Sequence, residues 1–291
     1  MSMRDVRVAE KAAEQFNRIS RAQLADLGLS RFAIADRLAS GRLVIVEQGV
    51  FALTPLNPDD DWGKWMGAVL TAPGSALSHI SAAAAEGFWT LPRLFETITR
   101  PGNGGPRRHG GVLVHRSATL EPHVTELRGI PITTTPRTLL DLAPHLDAKA
   151  LARCVREAVR LKRTTVQELA EFLARNRDRR GSRALAATLA RYSGLPIERA
   201  RSGAEVRAME ILRDAGRPLP ALNVRRAGEE ADLSWELERL IIEIDGGPFH
   251  QDAGEDARKQ GRWEAAGWLV RRLDADLVYR HPERLLALAP A

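Results

Sequence analysis

Apolar positions along the chain switch between helical and strand periods, and the switches mark its elements. Residues 5–18 carry apolar side chains at helical spacing and predict a first amphipathic helix. Ser20-Arg21-Ala22-Gln23 has the form of a capping box and opens a second helix that ends near Gly28. Ser30 caps a third, with Phe32, Ile34, Ala35 and Leu38 on its apolar side and Ser40-Gly41 as its stop. Leu43 to Val46, the turn Glu47-Gln48-Gly49, and Val50 to Leu53 then predict a hairpin. Three helices followed by a hairpin describe a winged helix-turn-helix over residues 1–55. Arg31, Arg37 and Arg42 would face a duplex from its third helix and wing. A small protein-packing domain fits the same pattern.

Pro55 to Asp61 is an acidic linker. Residues 62–145 read as a small α/β domain. Helices run through Trp62, Trp65, Met66, Val69 and Leu70 and from Ser78 to Trp89, and strands run over Phe95 to Thr99 and Val112 to Arg116. The Gly-rich stretch 101–108 lacks the Gly-Lys-Ser/Thr ending of a phosphate loop and reads as a hairpin tip. Thr135 is placed as a helix cap with Pro136 at the first helical position. His79, His115 and His123 show no ligand spacing and read as core or surface histidines. Residues 146–200 form a basic helical connector with Leu151, Val155, Val159 and Leu161 in one stripe.

The C-terminal domain, 201–291, opens with the capping box Ser202-Gly203-Ala204-Glu205. Asn223 to Arg226 is a strand. Ala231 to Trp235 and Leu240 to Gly246 form a hairpin about the turn Glu236 to Arg239, in a register that sets Asp232 opposite Glu243. That register gathers Asp232, Glu243 and Asp245 on one sheet face. Like charges so close need a proton or a cation between them, and a hard divalent cation suits the oxygen donors. A helix over Gln251 to Ala266, a strand over Trp268 to Leu273 and a helix over Pro282 to Leu288 complete the chain.

Charge divides the chain further. The net charge of +6 is concentrated in residues 146–200, which carry 13 basic and 6 acidic residues, whereas residues 201–291 carry 14 and 17. The densest basic run surrounds Gly181, with Arg179 and Arg180 at its centre. A basic middle beside an acidic end fits a phosphate backbone in one place and metal carboxylates in another; ordinary solvated helix faces fit it equally. No apolar run is long enough to span a bilayer and the N-terminus has no signal-peptide pattern, so a cytoplasmic location and no membrane partner are expected. The single cysteine, Cys154, excludes an internal disulfide and a cysteine-based zinc site.

Asp232, Glu243-x-Asp245 and Gly246-Gly247-Pro248-Phe249-His250, with the Ser202-x-x-Glu205 helix and the Gly267-Trp268 strand, resemble the very-short-patch-repair-endonuclease-like branch of the PD-(D/E)XK nucleases over about residues 200–289. One departure is clear: Asp245 stands where the superfamily usually has Lys. Residues 1–55 and the stretch Gly129 to Leu142 are similar to AbiEi-type antitoxins, which accompany abortive-infection systems in bacteria. The resemblances imply an α/β multidomain protein with an N-terminal winged helix-turn-helix, a middle α/β and helical region, and a C-terminal restriction-endonuclease fold. They imply a Mg²⁺- or Mn²⁺-dependent DNA endonuclease, or an antitoxin-like regulator with a toxin or defence-system partner and a silent nuclease fold. Asp232, Glu243 and the Ile244 carbonyl would hold the metal, and Glu205 would support it. His250 would be the general base, with Asp245 orienting it or binding a second ion. Arg258 and Arg262, one turn apart, would clamp phosphate.

Overall fold

The computed structural model describes residues 3–57, 60–246 and 253–291. The protein is mixed α/β and divides into two compact units, one of residues 1–147 with 178–182, the other of 148–177 with 183–291.

The first unit begins with α1 (Met3–Ala13), β1 (Ile19–Ser20), α2 (Arg21–Asp26), α3 (Arg31–Ala39), β2 (Leu43–Glu47) and β3 (Val50–Leu53). α1 stops short of the predicted residue 18 because Phe16 and Asn17 take positive φ and turn the chain into β1. Both halves of the Ser20–Gln23 capping box are formed, and the Ser30 hydroxyl accepts from the Ala33 amide. β1, β3 and β2 make an antiparallel sheet, and α1 to α3 close on it through Val8, Ala12, Leu24, Ile34 and Phe51.

It continues with α4 (Asp61–Leu70), β4 (Ala76–Leu77), α5 (His79–Ala85), β5 (Glu96–Pro101), β6 (Arg107–His109), β7 (Val112–Ser117), β8 (Val124–Leu127), β9 (Ile130–Thr133) and α6 (Thr135–Leu142). These strands form a six-stranded mixed sheet in the order β6-β7-β5-β4-β9-β8. Its apolar face packs on Trp65, Met66 and Val69 of α4 around Leu77, Ile98 and Ile132. The stretch 101–108 is not the expected hairpin tip: β5 pairs parallel with β7, so it serves as the connection from β5 to β6, and the hairpin is β6–β7, turning at Gly110 and Gly111. The cap of α6 is Thr134, one residue before the expected Thr135. The Thr135 hydroxyl is engaged elsewhere, donating to Glu86 Oε1 at 2.6 Å.

The second unit is built from α7 (Ala148–Arg160), α8 (Val166–Arg175), α9 (Ser182–Ala190), α10 (Gly203–Asp214), β10 (Ala221–Arg226), β11 (Glu229–Trp235), β12 (Leu240–Asp245), α11 (Ala253–Ala265), β13 (Leu269–Asp274), α12 (Ala275–Arg280) and α13 (Pro282–Leu288). The stripe of α7 is buried at Leu151, Val155 and Val159, with Cys154 beside it. Burial pushes the Cys154 thiol up to about 11, so this cysteine is a small core residue with no thiolate chemistry. The four strands run β10-β11-β12-β13, the first two pairings antiparallel and the last parallel, with α11 as the crossover. α11 lays Trp263 over one face, against Ala231, Ile241, Trp268 and Val270. Among the described residues no helix is long and apolar enough to cross a membrane.

Candidate functional site

The hairpin β11–β12 pairs Leu233 with Ile242, Ser234 with Ile241 and Trp235 with Leu240, the register expected from the sequence. Past Leu233 the backbone ladder gives way and two carboxylates occupy its place. The Asp232 amide donates to Glu243 Oε1 at 3.0 Å, and the Ile244 amide donates to Asp232 Oδ2 at 2.8 Å. Asp232 and Glu243 are therefore held side by side, each by the other's strand, where the two strands part. Glu243 is 7% exposed.

Burial and the neighbouring Glu243 charge raise the Asp232 carboxyl to about 7, with Glu205 adding to the effect and the Ile244 amide and Lys259 opposing it. Asp232 is thus half protonated near neutrality. A proton on Asp232 and the ammonium of Lys259 are what compensate this pair. Lys259 Nζ donates to Glu243 Oε2 at 2.6 Å and lies 4.7 Å from the centre of the Trp263 ring. Nothing in the hairpin pattern indicates Lys259. The signal was available on α11: Lys259 and Trp263 are four residues apart, so a helix that buries Trp263 turns Lys259 to the same sheet face.

Glu205 lies 4% exposed at the start of α10. Its amide donates to Ser202 Oγ, while its Oε2 accepts from the Arg201 amide at 2.9 Å and from Asn223 Nδ2 at 2.6 Å. Ser202 is therefore the cap, and the Glu205 carboxylate, in place of the expected return bond to the Ser202 amide, ties the residue before the cap to Asn223 and contributes negative charge to Asp232. Asp245 accepts from Arg272 Nη1 at 3.3 Å, and Arg272 also reaches Asp256 at 3.2 Å. β12 and β13 are in a register that sets Glu243 beside Arg272. His250 lies outside the described residues.

The donors at Asp232 and Glu243, with the Ile244 carbonyl next in sequence, are hard oxygens of the kind that suits Mg²⁺ or Mn²⁺. A carboxylate retained as an acid near neutral pH is what such a pair becomes without a cation. The set fits a divalent ion in charge and donor type. It comprises two carboxylates, and among the described residues no group of three or more His, Cys, Asp or Glu could hold a metal ion.

The arginines read as phosphate contacts sit in different settings. Arg31 is exposed and stacks on the exposed Phe32 ring. Arg37 is largely covered and bonds Asp5 at 2.7 Å and the Ala33 carbonyl. Arg42 pairs with Asp36 at 2.8 Å. On α11, Arg258 donates to the Gly254 carbonyl and Arg262 pairs with Glu229, both from exposed positions. Arg179 and Arg180 belong to the short turn 178–182 of the first unit.

No protein-family model matches the chain, and no curated protein matches it in sequence.

Proposed function

We propose that the chain is a metal-dependent DNA endonuclease that hydrolyses phosphodiester bonds at the parting of β11 and β12. The observation that carries this reading is the buried pair Asp232–Glu243, bonded strand to strand beside Lys259 and within electrostatic reach of Glu205. A scaffold has no need of such a pair: two adjacent buried carboxylates cost stability unless something binds them.

In this reading Asp232, Glu243 and the Ile244 carbonyl hold Mg²⁺ or Mn²⁺, which when bound supplies Lewis-acid charge to the scissile phosphate. Lys259 fixes the rotamer of Glu243 and brings a positive charge to the carboxylate pair. Glu205 keeps the start of α10 against Asn223 and adds negative charge that favours the Asp232 proton without a cation and attracts a cation to the pair. Arg272 holds Asp245. His250 is the proposed proton acceptor. The three helices and hairpin of residues 3–53 support a winged-helix role in DNA binding, with Arg31 the best placed of its arginines.

One observation favours the second reading, an antitoxin-like DNA-binding regulator with an inactive nuclease fold. Lys259 and the Asp232 proton already compensate the pair, with no third acidic or histidine ligand among the described residues.

The two readings separate in one experiment. Full-length protein with Mg²⁺ or Mn²⁺ should nick or cut DNA, chelator should abolish this, and the ion should raise the melting temperature. Glu243→Ala should remain folded, lose the melting shift and lose cleavage by several orders of magnitude, the effect of removing one charged group from a metal centre. A wild type inactive on single- and double-stranded DNA with either ion, and without a metal-dependent melting shift, sinks the endonuclease and leaves the regulator.

A further inference from the structure

A second chemically unusual place lies in the first unit, and it is independent of the nuclease reading. Three histidines that are far apart in sequence meet there. The rings of His79 and His115 stack at 4.0 Å, and His145 lies 5.8 Å from the first and 6.2 Å from the second. His79 opens α5, and His115 stands in β7 opposite Thr99 of β5. They border a cleft of about 290 Å³ whose wall is completed by Arg116, Arg137, Asp141, Arg179 and Arg180. Such a volume is at the small end of ligand sites.

The cleft is built from the inside outwards. Arg137 is 3% exposed and grips both oxygens of Asp141, at 2.8 and 2.9 Å, while its other nitrogens donate to the Thr119 carbonyl and Ser117 Oγ. That pairing consumes the one carboxylate of the wall. Among the described residues Arg116 donates to the Asn103 carbonyl alone, at 3.4 Å. Neither the Arg179 nor the Arg180 guanidinium forms an ion pair or hydrogen bond among the described residues. Arg179 feels Asp141 at longer range, but that carboxylate is already gripped by Arg137, so four guanidinium groups face one carboxylate among the residues lining this small cleft. The turn that carries two of them is fixed: Gly181 takes φ +96°, and the Leu140 carbonyl oxygen is 2.8 Å from where a Cβ would stand. No other residue fits there without moving α6.

The histidines add a donor. Thr99 Oγ1 donates to Ser78 Oγ at 2.8 Å, and Ser78 Oγ lies 3.0 Å from His79 Nδ1. In the tautomer in which Ser78, accepting from Thr99, donates its own proton to Nδ1, the His79 proton stands on Nε2. Burial, then the neighbouring His115, His145 and Arg137, hold His79 well below the ordinary histidine range, so it serves as a neutral N–H donor. His79 also takes φ +50°, a strained conformation of the sort kept at binding sites.

We propose that this cleft binds a dianionic phosphoryl group, the terminal phosphate of a nucleotide or of a nucleic-acid end. Three arginines and an imidazole N–H converging on a small volume match the several acceptor oxygens and double charge of a phosphate monoester better than a single carboxylate. The stacked imidazoles are not a metal site: among the described residues no His, Cys, Asp or Glu group has the geometry to hold one.

The test uses full-length protein with ¹³C-labelled histidine and inorganic phosphate at constant ionic strength. Of the seven histidines, the resonances of His79, His115 and His145 should move and saturate together. Arg179→Ala combined with Arg180→Ala should weaken phosphate binding by about tenfold or more, as expected when charge-assisted bonds are lost. His79→Asn, which tolerates the positive φ, should weaken it as well and carries the comparison if the double variant fails to fold. A nucleoside monophosphate and a 5′-phosphorylated oligonucleotide, against its 5′-hydroxyl counterpart, then identify the source of the phosphate. Histidine resonances that ignore millimolar phosphate, or variants that bind it as the wild type does, overturn the proposal.

Discussion

The carboxylates at the end of the β11–β12 ladder make stability depend on pH with an unusual sign. An ordinary Asp is stabilised by its native contacts when ionised; Asp232, raised to about 7 by burial and by Glu243, is better accommodated as an acid. Its unfolded value is about 3.9. Between these two values the folded chain binds the extra proton, so stability falls as pH rises from about 4 to about 7. The full span corresponds to at most roughly 4 kcal/mol in the metal-free protein. Asp232→Asn should flatten this part of the pH profile and melt above the wild type at pH 8. A wild-type melting temperature constant from pH 5 to 8 would contradict the assignment. Lys259→Met acts in the opposite direction. It strands Glu243, 7% exposed, beside Asp232, and should cost about 2–4 kcal/mol at pH 8, less at pH 5, because breaking a buried pair leaves an uncompensated charge. Equal losses at the two pH values would show that Lys259 serves only to cover Trp263.

At the scale of elements, what the sequence made legible was whatever rests on a local rule. The capping box at Ser20, the caps at Ser30 and Ser202, the final helix 282–288 and the register of the β11–β12 hairpin follow from patterns within a few residues, although at Ser202 only the serine half of the expected box forms, Glu205 accepting from the Arg201 amide instead. Strands β1 and β4, two residues each, are too short to show a period and exist because longer neighbours pair with them. The three meeting histidines were illegible for a related reason: they come together across long stretches of chain, whereas Lys259 was within reach of the helical spacing to Trp263 but not of the hairpin pattern. The parting of the strands at Asp232 was also hidden, since alternation assumes a ladder that continues. One local misfit gives a direct prediction. Ala227-Gly228 joins β10 to β11 as a two-residue loop, with Arg226 paired to Glu229 and both loop residues at positive φ, 47° and 85°. Gly suits that conformation and Ala does not; Asn is the residue such turns prefer at the first place. Ala227 is exposed and packs nothing that would be lost. Ala227→Asn should therefore raise unfolding free energy by about 0.5–1 kcal/mol, read by denaturant melts with unchanged slope. A loss of stability would mean that the turn is held by contacts beyond its own backbone preference.

At the scale of the whole molecule, the proposed function raises the question of which of its many arginines would meet DNA. Net charge of +6 gives general attraction to phosphate but does not choose among them. The settings of the three N-terminal arginines do. Arg37 is committed: its side chain is 15% exposed, tied to Asp5 and to the Ala33 carbonyl, so it holds α1 against α3. Arg42 shares its charge with Asp36, both exposed, in a pair of little energetic weight. Among the described residues Arg31 has no acidic partner in contact, and it stands at the first position of α3 over the exposed Phe32. Duplex binding by the full chain should weaken as salt rises, since each neutralised phosphate releases counterions. Arg31→Ala should lower the affinity and reduce the slope of log K against log salt by about one, while its melting temperature stays that of the wild type. Arg37→Ala should do the reverse, lowering the melting temperature and leaving the salt slope of the folded fraction intact. Arg42→Ala should fall between, with a small loss of affinity and no change in melting. If Arg37→Ala proves the more damaging to DNA affinity at a temperature where it is fully folded, or if Arg31→Ala leaves both affinity and slope unaltered, the α3 face is not the surface that meets the duplex.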